Sequence, residues 1–472
     1  MKNKETPQPA HAERATKPFR GEIQLPGDKS ISHRSFILSA LAVGTSRIHG
    51  LLEGDDVLAT GRAMQAMGAQ TTRLSDNTWE VTGRGVGGLI SPDAPLDFGN
   101  SGTGIRLTLG AMTGCPVTAR CIGDESLSRR PMGRVTDPLT QMGAMFEFHG
   151  AADGQLPLTL TSPQRALPID YVLPVASAQV KSCILLAGLG APGVTAVTEK
   201  QSTRDHTENM LALFGADISS IPDGKGIPDG KGTPEGKGLG KGRRIELTGE
   251  TELKATTINV PGDPSSAAFP LVAGLLSDGA EIRLNNVMVN PYRSGLWDCL
   301  KEMGGKIEAV NAREAAGEQV VDYIVKGSDL VGIDVPPEKA PDMIDEFPIL
   351  AMAAACARGT THLHGLAELR VKESDRLAAI ADGLKLCGVS VTEGEDDLVI
   401  EGCGGPVPGL MNNEPVTTHL DHRIAMSFLV LGLNAENRIT IDDARMIATS
   451  FPNFFELMAT LGAEFNTTHP GA

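Results

Sequence analysis

Six times along the chain, a run of apolar residues at helical spacing closes on an apolar residue, a glycine and a small residue. The sites are MQAMGA at Gly68, TQMGA at Gly143, ALFGA at Gly215, KEMGG at Gly304, KLCGV at Gly388 and ATLGA at Gly462. A glycine just past the last periodic residue is a helix-stop signal, because it enters the left-handed region without a Cβ clash. The gaps between these glycines are 75, 72, 89, 84 and 74 residues. The longest gap holds the 22 residues 221–242, IPDGKGIPDGKGTPEGKGLGKG, and shrinks to 67 without them. This insert has few apolar residues and interleaves Lys with Asp and Glu, so it is expected to be a mobile, solvated loop.

Within each unit a short strand runs into a polar or Gly-rich turn. An apolar helix follows, such as SFILSALAVG, RLTLGAMTG, KSCILLAGLG, AAFPLVAGLL, FPILAMAAACARG or AMSFLVLGLN. A β-like segment, a more amphipathic helix ending at the repeated glycine, and a further strand or hairpin complete the unit. The order reads β-α-β-α-β-β. The first helix of each unit is apolar nearly all round and should be buried, whereas the second should face solvent on one side. A coarser duplication lies above the units. Leu25-Pro-Gly-Asp-Lys-Ser is echoed 235 residues later by Val260-Pro-Gly-Asp-Pro-Ser, each ahead of an apolar helix. The pattern predicts an α/β (α+β) chain of six units in two halves.

The 472 residues are 41% hydrophobic and 21% charged, a globular composition long enough for more than one core. No apolar run approaches the roughly 20 residues of a membrane helix. The net charge is −16 and aromatic residues are 4%, which argues against a nucleic-acid scaffold but not against a local anion pocket. The seven cysteines fit no disulfide or zinc framework, so reduced thiols and a cytoplasmic location are expected. The first twenty residues are polar and of mixed charge, without the apolar core of a secretory signal, and read as a frayed tail.

Chemistry is expected in the turns ahead of the buried helices, where free N–H groups and the helix dipole favour anions. These turns carry Lys29, Ser30, His33 and Arg34, then Asn100, Gly102 and Arg106, then Ser177, Gln179 and Lys181. Arg129-Arg130 and Arg204 are expected on the second helices, and Lys372, Arg376 and Arg423 lie in the other half. Any one of these could cap a helix or pair with a neighbouring acid. Their recurrence at equivalent positions points to phosphorylated, carboxylated small molecules. Two acids sit among the bases. Asp345 opens the fifth apolar helix and Glu373 lies between Lys372 and Arg376. Each could cap or pair, or serve as an acid or base, and spacing alone does not separate these roles. GNSGTG at 99–104 lacks the lysine of a phosphate-binding P-loop and the spacing of a dinucleotide fingerprint. His362 and His364 share a strand face, but no third ligand is evident in the sequence, so no metal site is expected there.

PGDKSISHR, GNSGTGIR, RRPMGR, SAQVKS, TRDHTE, PGDPSSAAF, MIDEFP, LRVKESDR, LDHRIAMSF and DDARMIATSFPNF, in this order, resemble the 5-enolpyruvylshikimate-3-phosphate synthases. The likeness runs from about residue 19 to 465, leaving out the tail and the insert. Its wording is similar to the divergent bacterial branch that includes glyphosate-tolerant members. The resemblance implies two domains of three β-α-β-α-β-β repeats each, with crossovers at the two PGD copies. One domain would hold residues 1–27 and 261–472, the other 28–260, with the active site in the cleft between them.

The implied reaction moves a carboxyvinyl group from phosphoenolpyruvate to the 5-hydroxyl of shikimate 3-phosphate, with no metal or organic cofactor. By motif, Lys29, Ser30, Arg34, Ser177, Gln179, Arg204, Asp345 and Lys372 would contact shikimate 3-phosphate. Lys29, Asn100, Gly102, Arg130, Gln179, Arg376 and Arg423 would contact phosphoenolpyruvate. Asp345 would face the 5-hydroxyl, Glu373 would protonate the methylene carbon, and Lys29 would join them as a catalytic residue. The better-known branch has a lysine in the last motif where this chain reads IATSFPNF. Tolerant members carry Ala at the position of Gly102, where its methyl crowds the inhibitor, so inhibition by glyphosate is expected here. The expected working form is a monomer, without nucleic-acid or membrane partners. Two rivals are a UDP-N-acetylglucosamine enolpyruvyl transferase, which usually has a reactive loop cysteine and Lys-Asn in place of Lys29-Ser30, and a non-catalytic repeat scaffold.

Overall fold

In the computed structural model of the chain, residues 6–222, 242–412 and 414–467 are described. All six repeated glycines have left-handed backbone, with φ of 99° at Gly68, 100° at Gly143, 86° at Gly215, 93° at Gly304, 80° at Gly388 and 101° at Gly462. Each ends a helix in the same way. At the first, Gly68 N donates to Gln65 O (3.0 Å) and Ala69 N to Met64 O (3.1 Å), so two orphan carbonyls are satisfied in a Schellman turn. The same pair of bonds recurs at Gly388, where Val389 N reaches Leu384 O (3.0 Å), and at Gly462, where Ala463 N reaches Met458 O (3.1 Å).

The turns feed strands into small sheets. Five sheets among the described residues have four strands, in one recurring order of a parallel pair followed by two antiparallel strands. In one of them Leu96–Asp97 runs parallel to Thr118–Ile122, which pairs antiparallel with Leu158–Thr161, and that strand with Met145–Phe148.

The chain divides into two units. One comprises Met1–Pro26, Gly262–Arg313 and Gln319–Ala472, and the other Gly27–Pro261 with Glu314–Glu318. The strand before each PGD motif joins a sheet built by the opposite half of the sequence. Arg20–Gln24 runs parallel to Glu281–Met288, and Thr257–Asn259 runs parallel to Thr45–His49.

Each unit is organised around three apolar helices. In the Gly27–Pro261 unit these are Lys29–Leu41, Gly102–Thr113 and Ala178–Gly188. The first and third of them both pack on the second. The second and third approach so closely that a Cβ on Gly110 would lie 2.2 Å from Cys183 O, so only glycine fits there. In the other unit the helices are Pro264–Leu276, Phe347–Cys356 and His422–Gly432, each packed on the other two. Every residue of FPILAMAAAC in Phe347–Cys356 is buried, which is why its sequence lacks a polar face.

Two expectations need correction. The N-terminal residues are not a frayed tail throughout. Ala10–Ala12 is the central strand of a three-stranded sheet, between Ile439–Ile441 and Phe465–Thr467, with Ala10 and Ala12 facing the core. The last sheet lacks a strand of its own, and the N-terminus supplies the backbone partner that Ile439–Ile441 would otherwise leave unsatisfied. The basic residues expected on second helices also lie elsewhere: Arg129 ends a short separate helix, Glu125–Arg129, Arg130 follows it ahead of the second helix Gly133–Gln141, and Arg204 is not on a helix. It lies half-buried in the segment before His206–Leu213. The expected mobility of the insert falls on residues 223–241, outside the described residues. No described helix is long and apolar enough to cross a membrane.

Ala12→Asp should lower the unfolding midpoint by an amount equivalent to at least about 2 kcal/mol, because it buries a charge without a partner. His11→Asp, on the other face of the same strand, should cost far less. Equal and negligible losses in a urea titration would contradict the central-strand assignment.

Candidate active-site residues

Five of the six apolar helices are capped by a polar residue read in or beside a motif. Asp28 Oδ1 accepts from Ile31 N (2.7 Å), Ser101 Oγ from Gly104 N (3.1 Å) and Ser177 Oγ from Val180 N (3.4 Å). Asp263 Oδ1 accepts from Ser265 N (2.8 Å) and Asp421 Oδ1 from Arg423 N (2.9 Å). These caps fix the first helical turn, and the candidate side chains project from that turn.

In the Gly27–Pro261 unit the cations gather on helix N-termini. Arg34 is only 4% exposed. Its Nε donates to Thr207 Oγ1 (2.7 Å), Nη2 to Ser182 Oγ (2.9 Å) and Nη1 to Ser30 O (3.0 Å). Among the described residues no carboxylate lies within 4.0 Å of it. Burial lowers its pKa to about 10, against the upward pull of Glu208, Asp28 and Glu318, and the charge of Arg204 adds to the fall. This buried guanidinium is therefore held by neutral dipoles. Beside it, burial and then the charges of Lys29 and Arg34 hold the His33 imidazole well below its ordinary pKa. His33 Nδ1 bonds Thr60 Oγ1 (2.8 Å). Lys29 Nζ is paired with Asp56.

Arg106 and Arg130 are oriented by amides. Arg106 Nη1 donates to Gln179 Oε1 (2.7 Å), whose Nε2 donates to Thr103 Oγ1 (3.0 Å). Arg130 Nη2 donates to Asn100 Oδ1 (2.7 Å). A Cβ built on Gly102 would lie 3.0 Å from Arg130 Nη1 and 3.5 Å from Arg106 Nη1, so this glycine keeps the space between two guanidinium groups clear. The structure thus brings Asn100, Gly102 and Arg130 together, joins Gln179 to Arg106, and sets Ser30 and Arg204 about Arg34. Lys181 does not belong to the set. It is 1% exposed and paired with Glu199 (3.1 Å) and Glu208 (2.8 Å), so its charge is spent inside the unit.

The other unit gathers acids as well as bases. Arg376 is 1% exposed and forms a two-pronged pair with the fully buried Asp421, at 2.8 Å from Nε to Oδ2 and 3.3 Å from Nη2 to Oδ1. Its Nη2 also meets Glu373 Oε2 (2.6 Å) and its Nη1 meets Asp345 Oδ1 (3.3 Å). Lys372 Nζ lies 3.3 Å from the same Asp345 oxygen. Burial alone would lower the pKa of Arg376, but Asp421, Glu373 and Asp345 together raise it. The Asp421 carboxyl, which burial would push up, is held below its ordinary value by Arg376. Arg423 Nη1 donates to Asp345 O (2.9 Å) and approaches Glu346 Oε1 (3.5 Å), and Ser265 Oγ donates to Glu346. Side chains from three helix N-termini therefore meet at Glu346. Asp345 lies in the turn before Phe347–Cys356, whose N-cap position is held by Glu346.

Sequence reading missed Asp421, Glu346 and Asp56, the partners that hold Arg376, Arg423 and Lys29. Asp421 had a local signal, a carboxylate immediately before an apolar helix, but nothing local ties it to Arg376, 45 residues away. In the segment without the expected lysine, Arg445 is clamped on Asp443 at 2.9 and 3.0 Å. Cys115 and Cys121 are buried, and burial pushes the Cys121 thiol up to about 12, so neither is a reactive loop cysteine.

Residues 14–458 match the family model described as EPSP synthase (3-phosphoshikimate 1-carboxyvinyltransferase). The 3-phosphoshikimate 1-carboxyvinyltransferase of Parvibaculum lavamentivorans is 59% identical over 445 residues, covering 94% of this chain and 94% of that one. Its counterpart from Pseudomonas sp. (strain PG2982) is 54% identical over 465 residues, covering 98% and 99%. Among solved structures, EPSP synthase from Acinetobacter baumannii superposes with a TM-score of 0.83 at 42% identity, covering 98% of this chain and 100% of that one.

Proposed function

This chain belongs to the EPSP synthase family, and from that premise we propose how its residues divide the family's reaction. The activity is that of a 3-phosphoshikimate 1-carboxyvinyltransferase of the shikimate pathway. The 5-hydroxyl of shikimate 3-phosphate adds to the central carbon of phosphoenolpyruvate as the methylene carbon gains a proton. Phosphate then leaves the tetrahedral adduct, and a proton lost from the new methyl group restores the double bond. The chemistry needs one group to take the hydroxyl proton, one to exchange the methylene proton, and cations to hold two phosphates and a carboxylate together.

In our reading the Gly27–Pro261 unit supplies most of the cationic cradle. Arg34, Lys29, Ser30, Ser177, Gln179 and Arg204 hold shikimate 3-phosphate. Arg130, Asn100 and Gly102 receive phosphoenolpyruvate, and Lys29 and Gln179 reach both substrates. The other unit supplies the acid–base pair. Asp345 takes the proton of the 5-hydroxyl and Glu373 exchanges the proton of the methylene carbon. Lys372 steers the first substrate, and Arg376 and Arg423 bind the second. The observation that carries this reading is the pair of carboxylates on the Arg376 guanidinium, Glu373 at 2.6 Å and Asp345 at 3.3 Å, with Lys372 on the second. A buried cation joins them, so arriving polyanions that compete for it change the proton affinity of both carboxylates. We also read the six units as β-α-β-α-β-β repeats, three to a domain, and the enzyme as a cytoplasmic monomer.

Glu373→Gln and Asp345→Asn should each lower turnover by about 10²–10⁴ in a phosphate-release assay, with unfolding midpoints near that of the unaltered protein. Turnover unchanged in both variants would remove the acid–base assignment.

Glyphosate should inhibit the unaltered enzyme in competition with phosphoenolpyruvate. A methyl at residue 102 would press on Arg130 Nη1 and take up space that the longer inhibitor needs. Gly102→Ala should therefore raise the inhibitory concentration at least about 10-fold while turnover persists. Equal inhibition of the two proteins would place the glyphosate contact elsewhere.

A further inference from the structure

His362 and His364 are two residues apart, which on an extended chain turns both side chains to one face. The strand Arg358–Leu363 runs parallel to Asp334–Val335, and the register sets Asp334 opposite His362. The ladder continues past the strand end, with His364 N donating to Val335 O (3.2 Å). The third ligand that the sequence did not reveal is thus delivered by sheet register. One donor atom from each of Asp334, His362 and His364 lies within 4.8 Å of the other two. His364 Nε2 is 2.8 Å from Asp334 Oδ1, and the two imidazole rings are 3.6 Å apart centre to centre.

A fourth group supports the set. Asp397 closes the turn between the strands Ser390–Glu393 and Leu398–Cys403, and its Oδ2 lies 2.9 Å from His362 Nε2. A carboxylate on an imidazole fixes ring orientation and raises basicity, the usual support of a metal-binding histidine. The histidine side chains are about one-third exposed, at 35% and 31%, and Asp334 is 77% exposed, so an ion has access. A second cluster, Asp205, His206 and Glu318, lacks that access, because His206 and Glu318 are 1% and 2% exposed.

We propose that Asp334, His362 and His364, oriented by Asp397, bind one divalent transition-metal ion of the imidazole-preferring class, with Zn²⁺ the best fit. Two neutral nitrogens and one or two carboxylate oxygens suit tetrahedral Zn²⁺, whereas Mg²⁺ prefers oxygen ligands and water. The site lies at the root of a functional segment. The turn that carries Asp397 also takes the N–H of Leu366 on Asp396 O (2.7 Å) and holds Arg370 through Glu395 O (2.7 Å). That run leads directly to Lys372 and Glu373.

The test is calorimetric titration of Zn²⁺ into untagged, chelator-stripped protein, with Co²⁺ absorption as a second probe of geometry. The full chain should take up one equivalent that millimolar Mg²⁺ does not displace, and bound Co²⁺ should show tetrahedral bands. In H362Q/H364Q that equivalent should weaken at least about 100-fold, and in Asp397→Asn about 10-fold. Asp334→Asn is exposed and keeps the test valid should the double variant fold poorly, and it too should weaken binding. Zn²⁺ uptake unchanged in Asp334→Asn and in the histidine variant, or displaced by Mg²⁺, would overturn the proposal.

Discussion

A guanidinium withdrawn from water must find compensation, and the two units of this chain supply it in opposite ways. Arg376 meets three carboxylates, one of them the fully buried Asp421, so its charge is balanced before any ligand arrives. Arg34 meets two hydroxyls and a backbone carbonyl, and burial depresses its pKa to about 10. A cation solvated only by neutral dipoles retains most of its pull on an anion. The first arrangement suits proton traffic between carboxylates, and the second suits capture of a phosphate. In each unit these residues stand at or beside helix N-termini, where backbone N–H groups and the helix dipole favour anions.

That placement explains the economy of the sequence. Each unit spends its three most apolar segments on buried helices, leaving the polar character of those segments to the first turn. Glycine is used where backbones approach, as at Gly110 against Cys183 O, and where a turn needs left-handed backbone. The amphipathic helices end on such glycines, and strands of the small sheets follow them. Overall acidity is compatible with this design, since the net charge of −16 says little about a pocket whose nearest charges are chosen residue by residue.

What the sequence disclosed follows the range of the interaction involved. The six terminating glycines were legible because φ near 80–101° is a demand made by one residue on itself. Asp345, Glu373 and the basic residues were legible as chemistry placed beside apolar helices, and the family resemblance assigned them roles. Their partners were not. The Asp421–Arg376 pair spans 45 residues, and the partners of Ala10–Ala12 lie more than 420 residues downstream, so neither is written in any local window. Lys181 was misplaced for the converse reason. A lysine beside a motif looks available until the fold sets Glu199 and Glu208 against it.

Arg34 is buried with no carboxylate within 4.0 Å among the described residues, and the proposed function has a phosphate complete it. Calorimetric titration of shikimate 3-phosphate into Arg34→Gln, alongside a urea midpoint, tests this most directly. Affinity should fall by about 10–100-fold with the midpoint little changed, the value of a charge-assisted contact to a dianion. Affinity within twofold of the unaltered protein would show that the guanidinium serves the fold alone.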